Sequence, residues 1–131
     1  NGYWGCYNVL IGNTSLAIGT GKENSTKILS RYCTNSTQTA ARACDNYTNN
    51  NLSDWFLPSV NELKAMWEYR SDLGLNVGSS GRYWSSSESN NQDAYVVEFN
   101  SNSVDMSSFT WYKSPVNGQQ GIARILPIRR F

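Results

Sequence analysis

The spacing of the apolar residues changes character once along this chain of 131 residues, and that change restricts the fold more than any single motif. Before Gly81 the apolar residues recur at helical spacing; after it they alternate. The clearest helical signal follows Pro58, where Ser59 and Glu62 form a capping box and Val60, Leu63, Met66 and Trp67 make one apolar stripe, with Gly74 as a stop. Two shorter helices are expected upstream. One is capped by Asn24 or Ser25 and turns Ile28, Leu29 and Tyr32 inward; the other is capped by Ser36 or Thr37 and carries Ala40, Ala43, Cys44 and Tyr47. Beyond Gly81, "RYWSSS" is a strand. "AYVVEF" sets Tyr95, Val97 and Phe99 on one face against Ala94, Val96 and Glu98 on the other, and "VDMSSFTWY" returns after an "NSNS" turn, so 94–112 reads as a hairpin. A first strand is expected within "NGYWGCYNVLIGN" and a last one in "GIARILPIRRF", where Pro127 removes a ladder donor and argues for an edge or a bulge. Short helices in the first half packed on small antiparallel sheets give a single α+β domain over 1–131.

Several chemistries are excluded by what is missing. The chain has no histidine, so Ser-His-Asp and Cys-His pairs, a histidine base and ordinary zinc sites are out of reach. No cofactor is expected. Serines 85–87 have no candidate base and read as strand and turn hydrogen-bonders. Glu88, Asn90, Asn91 and Asp93 are oxygen ligands suited to calcium, but their spacing favours a solvated loop. Of three cysteines, Cys33 and Cys44 flank a polar, turn-rich stretch and are expected to form a local disulfide. Cys6 is then a buried thiol or an inter-chain partner. Abundant Trp, Tyr, Asn and Ser with few charges suit a secreted or cell-surface domain. No apolar run reaches the roughly 18–20 residues that span a bilayer, so membrane insertion is not expected. Nucleic acid is not expected as a partner either. Asn1 is not an initiator Met, so an N-terminal segment is expected to have been removed or left out.

"AIGTGKENS" (17–25) looks like a phosphate loop but has Leu16 where a Walker motif needs Gly and Glu23 where it needs Ser or Thr. It reads instead as a tight turn into a helix. Lys22 beside that helix start is a secondary anion contact.

The segments "GTGK", "SDWFLPS", "YWSSSE" and "PIRRF", in that order, resemble the C-terminal domain of the Legionella collagen-like protein family, over residues 17–131. The resemblance implies a C-type-lectin-like fold in which the first and last strands pair and bring the termini together. It also implies a homotrimeric stalk-tip role and attachment to sulfated polysaccharide. A distant kinship of that fold to formylglycine-generating enzymes brings in a third reading, for which a reactive cysteine pair would be needed.

Charge distribution leads to the same ligand class. Residues 1–105 hold seven cations and ten acids, whereas 106–131 hold Lys113, Arg124, Arg129 and Arg130 and no acid. Sulfate recognition needs fixed cations, Arg for forked contacts and Lys as a point charge, and Trp111 and Tyr112 add aromatic surface beside Lys113. These six residues are the expected polyanion site. In the competing reading Arg129 pairs with an internal acid and Arg130 is a solvated edge charge. Trp55 and Trp84 are expected in the core rather than as sugar platforms. The expected function is a non-enzymatic adhesin domain that binds anionic, glycosaminoglycan-like polysaccharide as a trimer, and the alternative is a structural trimerisation or stalk-capping module.

Overall fold

Three short helices precede one three-stranded antiparallel sheet in a computed structural model that describes residues 2–31, 33, 39–69, 71–75, 81–99, 106–114 and 122–130. The helices are α1 (Gly21–Ser30), α2 (Ala40–Asp45) and α3 (Val60–Ala65), the last followed by a 3₁₀ turn at Trp67–Tyr69. The strands β1 (Arg82–Glu88), β2 (Asp93–Phe99) and β3 (Met106–Tyr112) pair in sequence order. Helices in the first half and an antiparallel sheet in the second bear out the α+β arrangement.

The sheet carries apolar side chains on both faces, which is why the alternation at 94–99 is apolar on either side. On one face Trp84, Ala94 and Val96 join Trp4, Cys6, Ile28, Ala40, Ala41, Cys44 and Leu57, so that α1, α2 and the N-terminal segment share a core. On the other, Tyr83, Val97 and Phe99 pack with Val60, Leu63 and Trp67 of α3 and its 3₁₀ turn. Trp67 and Tyr83 flank Phe99 at ring separations of 5.5 and 5.4 Å, within the range of favourable aromatic pairs.

α3 starts where the sequence places it, with both halves of the Ser59–Glu62 capping box made, but it ends at Ala65 and passes into the 3₁₀ turn rather than running to Gly74. Glu62 also accepts from Gly19 N–H at 2.9 Å, and Ser59 Oγ donates to the Ala17 carbonyl at 2.8 Å, so the cap doubles as an anchor for the 17–21 loop. That crowding explains Gly21: a Cβ there would fall within contact distance of the Glu62 carboxylate and 2.9 Å from the Leu57 carbonyl. Gly19, at φ +90°, supplies the left-handed turn.

α1 begins earlier than expected. Its N-cap is Thr20, and the anticipated caps Asn24 and Ser25 lie buried inside the helix, where their polar groups cross-link the fold. Asn24 exchanges hydrogen bonds with the Ser15 backbone and donates to Ser86 Oγ at 3.1 Å. Ser25 exchanges two with the Leu57 backbone. α2 is capped by Thr39, which accepts from Arg42 N–H; the anticipated caps Ser36 and Thr37 lie outside the described residues.

The "SSS" of β1 sits where the register with β2 slips, between Trp84 and Glu88. All three serines are buried, and their polar groups join separate parts of the chain. Ser85 Oγ donates to the Tyr95 carbonyl, Ser86 N–H to Pro58 and Ser87 Oγ to Ser15. The Trp4 indole N–H caps the Ser85 carbonyl at 2.7 Å. Trp84 is fully buried and donates to Gly2 at 2.8 Å, so its expected place in the core is borne out.

The terminal segments lie side by side, yet neither is a continuous strand. Gly2 bridges Ala123, Arg124 bridges Tyr83, and Ile128 bridges Phe56. Pro127 and the change of partner from Tyr83 to Phe56 interrupt the ladder. Arg124 and Pro58 cover the free edge of β1.

The expected Cys33–Cys44 bond is not formed. Cys33, beyond the end of α1, is bonded to Cys6, with Cα atoms 5.0 Å apart. Cys44 is a free thiol on the inward face of α2, fully buried among Ala40 and Ala41. The helical period turns it into the core, where desolvation pushes its pKa up to about 12.

Candidate polyanion site

The basic C-terminal run does not make one stripe. Lys113 has no exposed surface: its ammonium donates to Glu88 Oε2 at 2.7 Å and to the Val9 carbonyl at 3.0 Å, and lies 4.7 Å from the centre of the Trp4 ring. Glu88 also accepts from the Ile11 and Gly12 amides at 2.8 and 2.9 Å. Burial pulls the Lys113 pKa down, opposed by the hydrogen bond that its ammonium donates to Glu88. Lys113 is therefore withdrawn from the set of ligand-facing cations. The period of two carried the warning, since position 113 continues the face of Trp111, which packs towards Trp84. Glu88 is likewise committed inward, and Asn90 Oδ1 accepts from the Gln92 and Asp93 amides, so two of the four oxygen ligands suited to calcium serve the fold.

Trp111 and Tyr112 are partly buried on opposite faces of β3. Trp111 packs with Phe109 at 6.0 Å and lies beneath the Arg82 guanidinium, which pairs with Glu98. Arg124 is partly buried and joins the edge of β1 through its backbone. Arg129 forms a forked pair with Asp54 at 2.7 and 3.0 Å, as the competing reading anticipated. The Arg129 hydrogen bond holds the Asp54 carboxyl below its usual range and raises the arginine.

Arg130 goes elsewhere. Its guanidinium reaches α1, donating to Glu23 at 3.0 and 3.1 Å and to the Gly19 carbonyl, 5.9 Å from the Phe56 ring centre. Lys22, Glu23, Thr26 and Lys27 occupy one face of α1, and with Arg130 they line a cleft of about 420 Å³. Three cations meet one acid there. Glu23 is held below its usual carboxyl range, first by its own backbone amide in the opening turn of the helix and then by Arg130. Lys22 is exposed and makes no ion pair among the described residues; Lys27 donates to the Asn13 carbonyl. The structure thus brings together Lys22 and Arg130, which the sequence singled out separately, and adds Lys27, which it did not. Lys22 and Lys27 are five positions apart, about 140° round a helix, so periodicity does not group them. The contact with Arg130 spans 107 positions and has no local signal.

Trp55 is half-buried rather than core. Its indole N–H donates to the Leu52 carbonyl at 2.9 Å, and its ring stands edge-on to Tyr47 at 5.1 Å. It lines a smaller cleft of about 110 Å³ that shares Lys22 and Thr26 with the basic one. Among the described residues no helix is long and apolar enough to cross a membrane. No family model, curated protein or solved structure matches the chain.

Proposed function

We propose that this chain is a non-enzymatic, secreted or cell-surface domain that binds sulfated or otherwise anionic polysaccharide in the cleft formed by Lys22, Lys27 and Arg130. The observation that carries this reading is the convergence of three cations from two distant segments on one concave surface, with a single acid among them. An incoming sulfate takes the place of the Glu23 carboxylate on Arg130, exchanging one charge-assisted contact for another, while Lys22 and Lys27 supply attraction that Glu23 leaves over. The disulfide accords with an oxidising compartment.

Kinship with the C-terminal domain of the Legionella collagen-like protein family, a C-type-lectin-like topology and assembly as a homotrimer belong to the same proposal. They rest on the four sequence segments and on the adjacency of the terminal segments at Gly2 and Ala123. Around a threefold axis, three such clefts engage one long polyanion and weak contacts add through effective concentration. Against a formylglycine-type catalyst, Cys33 is bonded to Cys6 and Cys44 is a buried, strongly protonated thiol, so those two do not form a reactive pair.

Retention on immobilised heparin tests the reading. The wild-type chain is expected to be held at low ionic strength and released as salt screens the cleft. The triple reversal Lys22→Glu, Lys27→Glu, Arg130→Glu is expected to pass through unretained at about 0.15 M salt, where the screening length is about 8 Å. Retention that survives all three reversals refutes the site.

A further inference from the structure

We infer that the binding surface continues from the basic cleft across Lys22 and Thr26 into the cleft beside Trp55, and that it takes a polysaccharide in which anionic units alternate with uncharged, hydroxyl-bearing ones. The inference rests on the polysaccharide reading and specifies its ligand.

The two clefts share a wall but differ in charge: the first has cations in surplus, and in the second each acid is compensated by an arginine. The basic one combines Lys22, Lys27 and Arg130 with Glu23. The second combines Asp45, Ser53, Asp54 and Trp55 with the shared Lys22 and Thr26, two acids against one cation. A sulfate or carboxylate favoured in the first finds in the second no cation beyond the shared Lys22 that is not already paired with an acid, and there carboxylates and a serine hydroxyl accept and donate hydrogen bonds to sugar hydroxyls. Arg129 and Arg42 hold Asp54 and Asp45 by ion pairs of 2.7 and 2.9 Å, which orient the acids while each oxygen keeps acceptor capacity. The Trp55 N–H is already satisfied by Leu52, so what this side chain offers a ligand is apolar ring surface, suited to the C–H face of a pyranose. At about 110 Å³ the second cleft admits the substituents and one edge of a single sugar unit. A cation-rich cleft beside a charge-compensated, aromatic one, joined through Lys22 and Thr26, fits alternating charged and uncharged units along one chain.

Two carboxylate polymers separate the possibilities: hyaluronan, with one charged unit in two, and polygalacturonate, with every unit charged. Affinities per disaccharide are measured with the full chain. The wild type is expected to bind hyaluronan at least as tightly despite its lower charge density. Trp55→Leu is expected to weaken hyaluronan about fivefold, and polygalacturonate less than about twofold. Asp45→Lys, on an exposed position that does not endanger folding, shifts the ratio of the two affinities towards polygalacturonate by about fivefold or more. If both variants change the two polymers in equal proportion, or if the wild type holds heparin through Lys22, Lys27 and Arg130 but not hyaluronan, the extended site is wrong and the basic cleft stands. If no polymer is held and the triple reversal changes nothing, the polysaccharide reading fails with it.

Discussion

Lys113→Met is expected to lower the stability of the folded chain by about 3–5 kcal/mol while leaving heparin retention of the folded protein unchanged. The substitution removes the cation from a pair with no exposed lysine surface and a Glu88 side chain only 3% exposed, and leaves a carboxylate inside the protein. Two backbone amides from Ile11 and Gly12 remain on Glu88, so some compensation persists, but the charge itself does not leave. Against the roughly 5–15 kcal/mol that holds typical domains together, this is a large share. It corresponds to a fall in melting temperature of roughly 10–20 °C for a chain of this size. Adding Glu88→Gln to Lys113→Met is expected to cost less than the sum of the single variants, because it removes the stranded charge. A loss below about 1 kcal/mol for Lys113→Met, or a selective loss of polysaccharide binding at unchanged stability, would return Lys113 to the surface role its position in the basic run first suggested.

The second large effect belongs to the disulfide. Cys6→Ser with Cys33→Ser opens a link between residues 27 positions apart, which the chain-entropy model values at about 3–4 kcal/mol. Cys6 is 2% exposed and packs in the core with Trp4 and Ile28, so a serine hydroxyl there adds its own desolvation cost. Peptide mapping without reduction is expected to recover Cys6 joined to Cys33. Titration of the native protein is expected to find Cys44 unreactive until it unfolds, since burial holds the thiol protonated. Recovery of a Cys33–Cys44 peptide would overturn this arrangement of the first core.

What could be seen in the sequence follows the range of the interactions involved. The start of α3 was legible because its cap and apolar stripe lie together from Ser59 to Trp67, whereas its end was not: the α-helix stops at Ala65, well before the expected Gly74. The hairpin was legible because β2 and β3 alternate and adjoin. The start of α1 was misplaced because Asn24 and Ser25, residues that ordinarily cap, are used here to tie the helix to Ser15, Ser86 and Leu57. No local pattern announces such a use. The disulfide failed for a related reason: proximity in sequence favoured Cys44, whereas helical phase buried it and the N-terminal turn carried Cys6 to Cys33. Asn-rich loops, a compositional curiosity in the sequence, acquire a backbone role: Asn8, Asn13, Asn50 and Asn51 all adopt left-handed conformations that asparagine tolerates better than most residues.

The candidate site shows the same division. Charge bias drew attention to the C-terminal run, whose four cations are sent to four environments. Lys113 enters the core, Arg124 joins the β1 edge, Arg129 clamps Asp54, and Arg130 crosses to α1. Only the last meets the Lys22 that the glycine-rich turn had already marked. A sequence reveals how many cations there are; which of them share a surface depends on contacts such as Arg130 to Glu23.

The chain has four lysines: Lys22 and Lys27 line the basic cleft, Lys64 lies on α3 away from it, and Lys113 is buried. Acetylation of the folded protein, read by mass spectrometry with and without saturating heparin, therefore tests the central assignment in one measurement. Lys22 and Lys27 are expected to react freely and to be protected by heparin, Lys64 to react equally in both conditions, and Lys113 to stay unmodified in both. Heparin binding that leaves Lys22 and Lys27 unprotected would contradict the assignment.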